Sequence, residues 1–260
     1  MRNRAAALTL ICALAVLIAL PMLHNADPYA TFVFDPRLPP SADHLLGTDA
    51  LGRDVLVRLV AGALPTLAGS GVALAVALVG AALLGGIAAF GAMPFVRRVG
   101  DLVIESLLSM PSIVAAMVIL TALDRTGISV AVAAGLSHIP LAAVVFRDQI
   151  QSTSGQLHVT AARSLGARRW RILVVHILPV SKPVLLAYSV TAFASCLLMI
   201  TTLSFLGFAG DVASPEWGSM IADGRADVRS APWVVAAPAI GIILAAAGLS
   251  VAARRLSRQR

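Results

Sequence analysis

Charge is scarce in this chain, and lysine is nearly absent. Of 260 residues only 13% are Asp, Glu, Lys or Arg, while 58% are apolar and the mean hydropathy is +0.89. A soluble domain carries about 25% charged residues, so this deficit excludes an ordinary water-soluble globule. The one lysine, Lys182, follows Ser181. That excludes a Gly-x-x-x-x-Gly-Lys-Ser/Thr loop, the usual cradle for nucleotide phosphates. There are two cysteines, Cys12 and Cys196, with no spacing that suggests a disulfide framework or a metal cluster. Both fall inside long apolar runs and read as buried small hydrophobes. No Gly-x-Ser-x-Gly elbow or paired metal-ligand motif occurs. An intramembrane enzyme, which needs a nucleophile–base pair or metal ligands at membrane depth, therefore has no visible catalytic set.

What is present is apolar sequence in long blocks. An apolar helix needs roughly 20 residues to cross the hydrocarbon of a bilayer. Six segments meet or approach that length, at about 5–23, 62–92, 102–123, 129–146, 183–206 and 234–253. They are rich in Ala, Leu and Val without period-two alternation, which argues against strands. The expected fold class is an all-α membrane protein with six transmembrane helices. Residues 1–23 could instead be a cleaved signal peptide, but the apolar run is too long and lacks an A-x-A site, which favours an uncleaved helix.

Arginine placement orients the chain. With the N-terminus in the cytosol, 14 of the 20 basic residues fall on inner segments, against three of the 13 acidic ones, Asp101, Glu105 and Asp148. The inner side sums to +11 and the outer to −4, the positive-inside asymmetry. Both termini are then cytosolic. The basic balance requires no nucleic acid, because anionic headgroups and a cytosolic partner account for it.

Several local features carry expectations. Residues 46–59 read LGTDALGRDVLVRL. Asp49 is a candidate helix cap, and Asp54 and Arg58 stand four apart opposite Leu51, Val55, Leu56 and Leu59, as in a short amphipathic helix on the outer surface. The second apolar segment carries Gly69, Gly71, Gly80, Gly85, Gly86 and Gly91, so it should pack against helices. Pro111 should bend the third segment. Glu105 should find an interfacial partner such as Arg97 or Arg98. His138 has no second ligand at helical spacing and reads as a packing residue.

The inner segment before the fifth span, at about 148–180, reads as helix, break and helix. Gly166 sits where a left-handed helix cap would fall. Ala161 and Ala162 leave a flat face before it. Trp170, Ile172, Leu173 and Val174 can anchor the second helix, and Pro179 and Pro183 should limit its continuation. A basic loop of this kind could simply lie on anionic headgroups through Arg163, Arg168, Arg169 and Arg171.

The string AARSLGARRWRILVVHILP, residues 161–179, resembles the EAA loop of ABC importer permeases: EAA, three residues, Gly, nine residues, I-x-LP. Ala161, Ala162, Gly166, Leu178 and Pro179 fall on that spacing. Thr160 replaces the glutamate, and His176 the isoleucine. A His-Ile-Leu-Pro ending is similar to the dipeptide, oligopeptide and nickel branch, as are LGTDALGRDVLVRL, LSFLG at 203–207 and PEWG at 215–218, where the family has PSWG. The usual NLLGDGLRD-x-LDPR ending is replaced by LSVAARRLSRQR from Leu249.

The resemblance implies a type I importer permease in a bacterial inner membrane. An N-terminal helix and extracytoplasmic loop (1–61) would precede a five-helix core (62–260). The docking surface would comprise Thr160, Ala161, Ala162, Arg163, Gly166, Ala167, Arg168, Leu178 and Pro179. Implied partners are a homologous permease subunit, two cytosolic ATPases that bind ATP and Mg, and an extracytoplasmic substrate-binding protein. This chain would bind no cofactor and hydrolyse no ATP. Short peptides are the expected cargo, a nickel chelate the alternative, and a non-transport membrane scaffold a further one.

Overall fold

The computed structural model describes residues 27–91, 93–209 and 214–257. The expected first span, 5–23, and Cys12 lie outside the described residues. Those residues form helices and loops, with one isolated antiparallel bridge between Thr48 and Asp54. The helices are α1 (Val55–Ala61), α2 (Ala63–Phe90), α3 (Pro94–Leu108), α4 (Ser112–Thr121), α5 (Gly127–Ser154), α6 (Leu157–Ser164), α7 (Arg169–Arg171), α8 (Leu178–Phe205), α9 (Trp217–Gly224) and α10 (Pro232–Ser257).

Three helical stretches are long and apolar enough to cross a membrane: Val55–Phe90, Gly127–Ser154 and Arg169–Phe205. The segment expected at 102–123 is broken. α3 ends at Leu108, α4 starts at Ser112, and the two are bent by 90°; together they qualify as one broken span. Pro111 lies at the break. It has no N–H to bond backwards and pushes the residue before it out of the helical region. The last apolar stretch, Pro232–Gly248, is shorter.

Packing of α2 on α5 organises the bundle. The buried face of α2 is built from Thr66, Ser70, Ala73, Ala77, Ala81, Gly85 and Ala88. All are small, so the backbones can close on each other where lipid offers no hydrophobic drive. A Cβ at Gly135 of α5 would lie 2.6 Å from the Ala73 carbonyl oxygen, and one at Gly85 2.6 Å from that of Ala143. Gly71 and Gly86 have open space around them, so the glycine-rich helix presents one packed side and one free side. The free side carries Val72, Val79, Leu83 and Ile87, all exposed, the apolar surface that a bilayer or a second membrane subunit would cover. Cys196 is fully buried between α8 and its neighbours.

Other expectations are revised. Glu105 is exposed, and among the described residues neither Arg97 nor Arg98 pairs with it. The ion pairs at this end instead join Arg147 of α5 to Asp101 and Asp148, each at 3.0 Å. α1 is not a surface helix. It runs almost without interruption into α2, and its Arg58 is 2% exposed. Its cap is Asp54, whose Oδ1 accepts the N–H groups of Leu56 at 2.8 Å and Val57 at 3.1 Å. His138 is buried, with Nδ1 3.0 Å from the Ala134 carbonyl of its own helix.

The α2–α5 contact predicts a contrast between glycines. Gly135→Ala forces a shift against backbone and should cost about 1–3 kcal/mol, lowering the thermal midpoint of the detergent-solubilised protein. Gly86→Ala meets no atom and should leave that midpoint unchanged or raised.

Candidate functional site

Two regions concentrate the features read from the sequence. The first is the loop between α5 and α8. α5 ends at Ser154, Gly155 and Gln156 break the chain, and α6 begins at Leu157. α6 closes with the two hydrogen bonds of a Schellman turn: Gly166 N–H donates to the Arg163 carbonyl at 3.0 Å, and Ala167 N–H to that of Ala162 at 3.1 Å. Gly166 has φ +78°, the left-handed cap its position predicts.

The turn is pinned from beneath. Val159 of α6 buries itself with Ile150 of α5 and with Ile172 and Ile177, which lie in the π-helical segment Ile172–Ile177 joining α7 to α8. The anchors are therefore Ile172 and, in part, Leu173, whereas Trp170 and Val174 are exposed. The helix also passes Pro179 instead of ending there. Leu178 N–H donates to the Leu173 carbonyl five residues back. This wider turn changes the bonding register just before a residue with no N–H to contribute.

The proposed docking residues separate by face. Thr160, Ala161, Arg163, Gly166, Arg168, Leu178 and Pro179 are exposed, Ala167 is half-buried and Ala162 is buried. Neighbours on a helix point about 100° apart, so the two alanines cannot share one flat face. Thr160 Oγ1 donates only to its own helix, to the Gln156 carbonyl at 3.3 Å. Leu157 and Leu165, at the two ends of α6, are 89% and 88% exposed. His176 faces His158 across the turn, with ring centroids 6.5 Å apart. Behind α6 lies a cavity of about 690 Å³, lined by Arg97, Arg163 and Arg169 beside Gly91 and Gly155.

The second region is the opposite end of the bundle, where LGTDALGRD and PEWG meet. Asp49 Oδ1 accepts the N–H groups of Leu51 at 2.8 Å and Arg53 at 2.9 Å, and its Oδ2 accepts from Arg53 Nε at 2.6 Å. Arg53 and Arg58 both reach Asp223 of α9, at 3.4 and 3.6 Å. Burial raises the Asp223 carboxyl above its ordinary range, and the two guanidiniums oppose that rise. Trp217 is buried, donating from Nε1 to the Leu59 carbonyl at 2.7 Å and from its backbone N–H to Thr66 Oγ1 at 3.2 Å. Trp233 Nε1 donates to the Thr48 carbonyl at 3.2 Å. Sequence reasoning treated Arg58 as a surface charge and missed this network. The available signal was the four-residue spacing of Asp49 and Arg53, since Asp223 is distant in sequence.

The helical bundle, its broken span at 94–121 and its basic loop between α5 and α8 define a polytopic membrane component. The family of binding-protein-dependent transport system inner membrane components matches residues 81–260. The probable D,D-dipeptide transport system permease protein DdpC of Escherichia coli K12 is 33% identical over 248 residues, 94% of this chain and 82% of the relative. The dipeptide transport system permease protein DppC of Alkalihalophilus pseudofirmus is 30% identical over 238 residues, 91% and 78% of the two chains. The di/tripeptide transport system permease protein DppC of Pseudomonas aeruginosa is 31% identical over 240 residues, 89% and 78%. The chain belongs to this family of ABC importer permeases, multi-pass proteins of the bacterial inner membrane that are transporter components and not enzymes.

The outer network yields a direct test. Asp49→Asn removes the carboxylate facing Arg53 and Arg58, all three of them buried. An uncompensated buried charge of this kind costs about 3–5 kcal/mol. Chemical denaturation of the purified protein should show that loss, while Leu51→Ala in the same loop should change little.

Proposed function

We propose that this chain is one of two homologous permease subunits of a peptide importer. Its inner loop, α6 with the Schellman turn, is the docking element for a cytosolic ATPase. The observation that carries this reading is the division of α6 into two faces. Val159 and Ala162 are held against the bundle, while Leu157, Thr160, Ala161, Arg163 and Leu165 are presented outward. Solvent-facing leucines at both ends of a short, rigidly held helix suit a groove on a partner protein.

On this reading the chain has six crossings, with residues 1–61 forming the first helix and outer loop and 62–260 the core, and both termini lie in the cytosol. Two ATPases bind ATP and Mg, and an extracytoplasmic binding protein delivers cargo. Short peptides are favoured over a nickel chelate because relatives matching nine-tenths of the chain are dipeptide permeases. When the ATPases close on ATP, displacement of α6 passes through Val159 and the Ile150–Ile172–Ile177 cluster into α8. The two subunits then change which side of the shared pathway is open. Thr160 offers a neutral hydrogen bond where the resembling loop has glutamate, roughly half the strength of a charge-assisted one, so Arg163 and the two leucines carry more of the contact.

Gly166→Val should abolish peptide uptake while the protein still reaches the membrane. A Cβ there meets no atom, so the fault is backbone strain of about 1 kcal/mol or more at a positive φ, which re-aims α6. Normal uptake by that variant would remove the docking assignment. For orientation, a cysteine at Ala167 should resist an impermeant thiol reagent applied to intact cells, and one at Ala42 should react; the opposite pattern would invert the topology.

A further inference from the structure

Between the outer ends of α2, α5 and α8 lies a cavity of about 460 Å³ with a single ionisable residue among those that line it, Glu216. Val130 and Ile200 form its buried wall, and Val72 and Ile128 stand exposed at its mouth. The volume is that of a small-molecule site. Glu216 is 9% exposed, and its Oε1 is buried without a hydrogen-bond partner. The Ser204 hydroxyl nearby is likewise buried and unpartnered. It lies close enough to favour the charged carboxylate, yet burial prevails and pushes the Glu216 carboxyl above its ordinary range.

The fold does not use this side chain. Residue 216 serves the start of α9 through its backbone: its carbonyl accepts Met220 N–H at 2.9 Å and Ser219 Oγ at 2.8 Å. The resembling family segment is PSWG, with an uncharged serine at this position. A buried acid lacking a positive partner is costly, and among the described residues no cation lines the cavity to offset it. A small, apolar-bodied cation would supply the partner that the carboxylate lacks.

We infer that Glu216 is the recognition point for an organic ammonium group, the N-terminal ammonium of a short peptide whose body rests on the apolar walls around Val72, Ile128 and Ile200. The identity of the amine rests on the peptide-import reading; the ammonium site itself does not. One uncharged-walled cavity with one carboxylate selects for a single positive charge and is tolerant of side-chain shape.

The test uses the membrane complex of both permeases and their ATPases, with the soluble binding protein left out so that its own site does not contribute. Calorimetric titration compares L-alanyl-L-alanine, its N-acetyl derivative and propylammonium against the wild type, Glu216→Gln and Glu216→Asp. Both amines should bind at least tenfold more weakly to Glu216→Gln and recover in part with Glu216→Asp. The acetylated dipeptide should bind equally weakly to all three. The thermal midpoint of Glu216→Gln should equal or exceed that of the wild type, because a buried charge has been removed. If Glu216→Gln fails to assemble, Glu216→Ser takes its place. Equal amine affinity in the wild type and the neutral variant, or no amine binding by the wild type, would overturn the site. Binding of propylammonium that depends on Glu216, without transporter-dependent uptake of dialanine by cells, would keep the site and remove the peptide reading. Dialanine uptake with affinity indifferent to Glu216 would do the reverse.

Discussion

The buried contact between Asp49 and Arg53 is the constraint on which the outer half of the molecule depends. It does two things with one carboxylate. Oδ1 closes a tight loop on backbone N–H groups, and Oδ2 neutralises a guanidinium that is itself out of water. A charge buried this way is tolerable only while its partners stay in place, so the contact also determines where α9 must lie, because Asp223 completes it. Trp217, six residues earlier on α9, then reaches the Leu59 carbonyl and Thr66. Segments more than 150 residues apart in sequence are thus held as one outer cap over the start of α2.

The inner end is built on another principle. Four apolar residues, Ile150, Val159, Ile172 and Ile177, and one Schellman turn hold α6 to the bundle. Apolar contacts of this kind are non-directional and tolerate small rotations, whereas the outer hydrogen bonds at 2.6–2.9 Å do not. The π-helical segment, by passing the chain through Pro179 without ending the helix, joins α7 to α8 as one helical stretch, Arg169–Phe205, against which α6 packs.

Much of this was legible in the sequence, and what was not has a physical reason. The Pro111 break and the Gly166 cap follow from single residues with unusual backbone preferences, so local reasoning reaches them. The small-residue face of α2 follows from composition, although only the coordinates separate packed Gly85 from open Gly86. Arg58 was misread because an Asp-x-x-x-Arg spacing looks the same on a solvated helix and in a buried network. The difference lies in Asp223, which no local pattern could supply. Trp170 was misread for the related reason that a large aromatic residue is usually an anchor, and here Ile172 occupies that role. Ala161 and Ala162 were read as one surface, although helix geometry places them on two.

Glu216 shows how these levels of reasoning combine. In sequence it is one departure within a short family segment; in the fold its side chain caps no helix and, among the described residues, meets no cation. The same cap gives Arg53 and Arg58 two carboxylates, although Arg58 Nη2 is buried without a hydrogen bond, and gives Glu216 no cation among the described residues. If burial at this end were merely permissive of charge, Glu216 would be expected to sit among the arginines, as Asp49 and Asp223 do. It faces instead the apolar cavity between α2, α5 and α8. An uncompensated acid beside a compensated network in one small cap separates charges that hold the structure from a charge left available to something outside it.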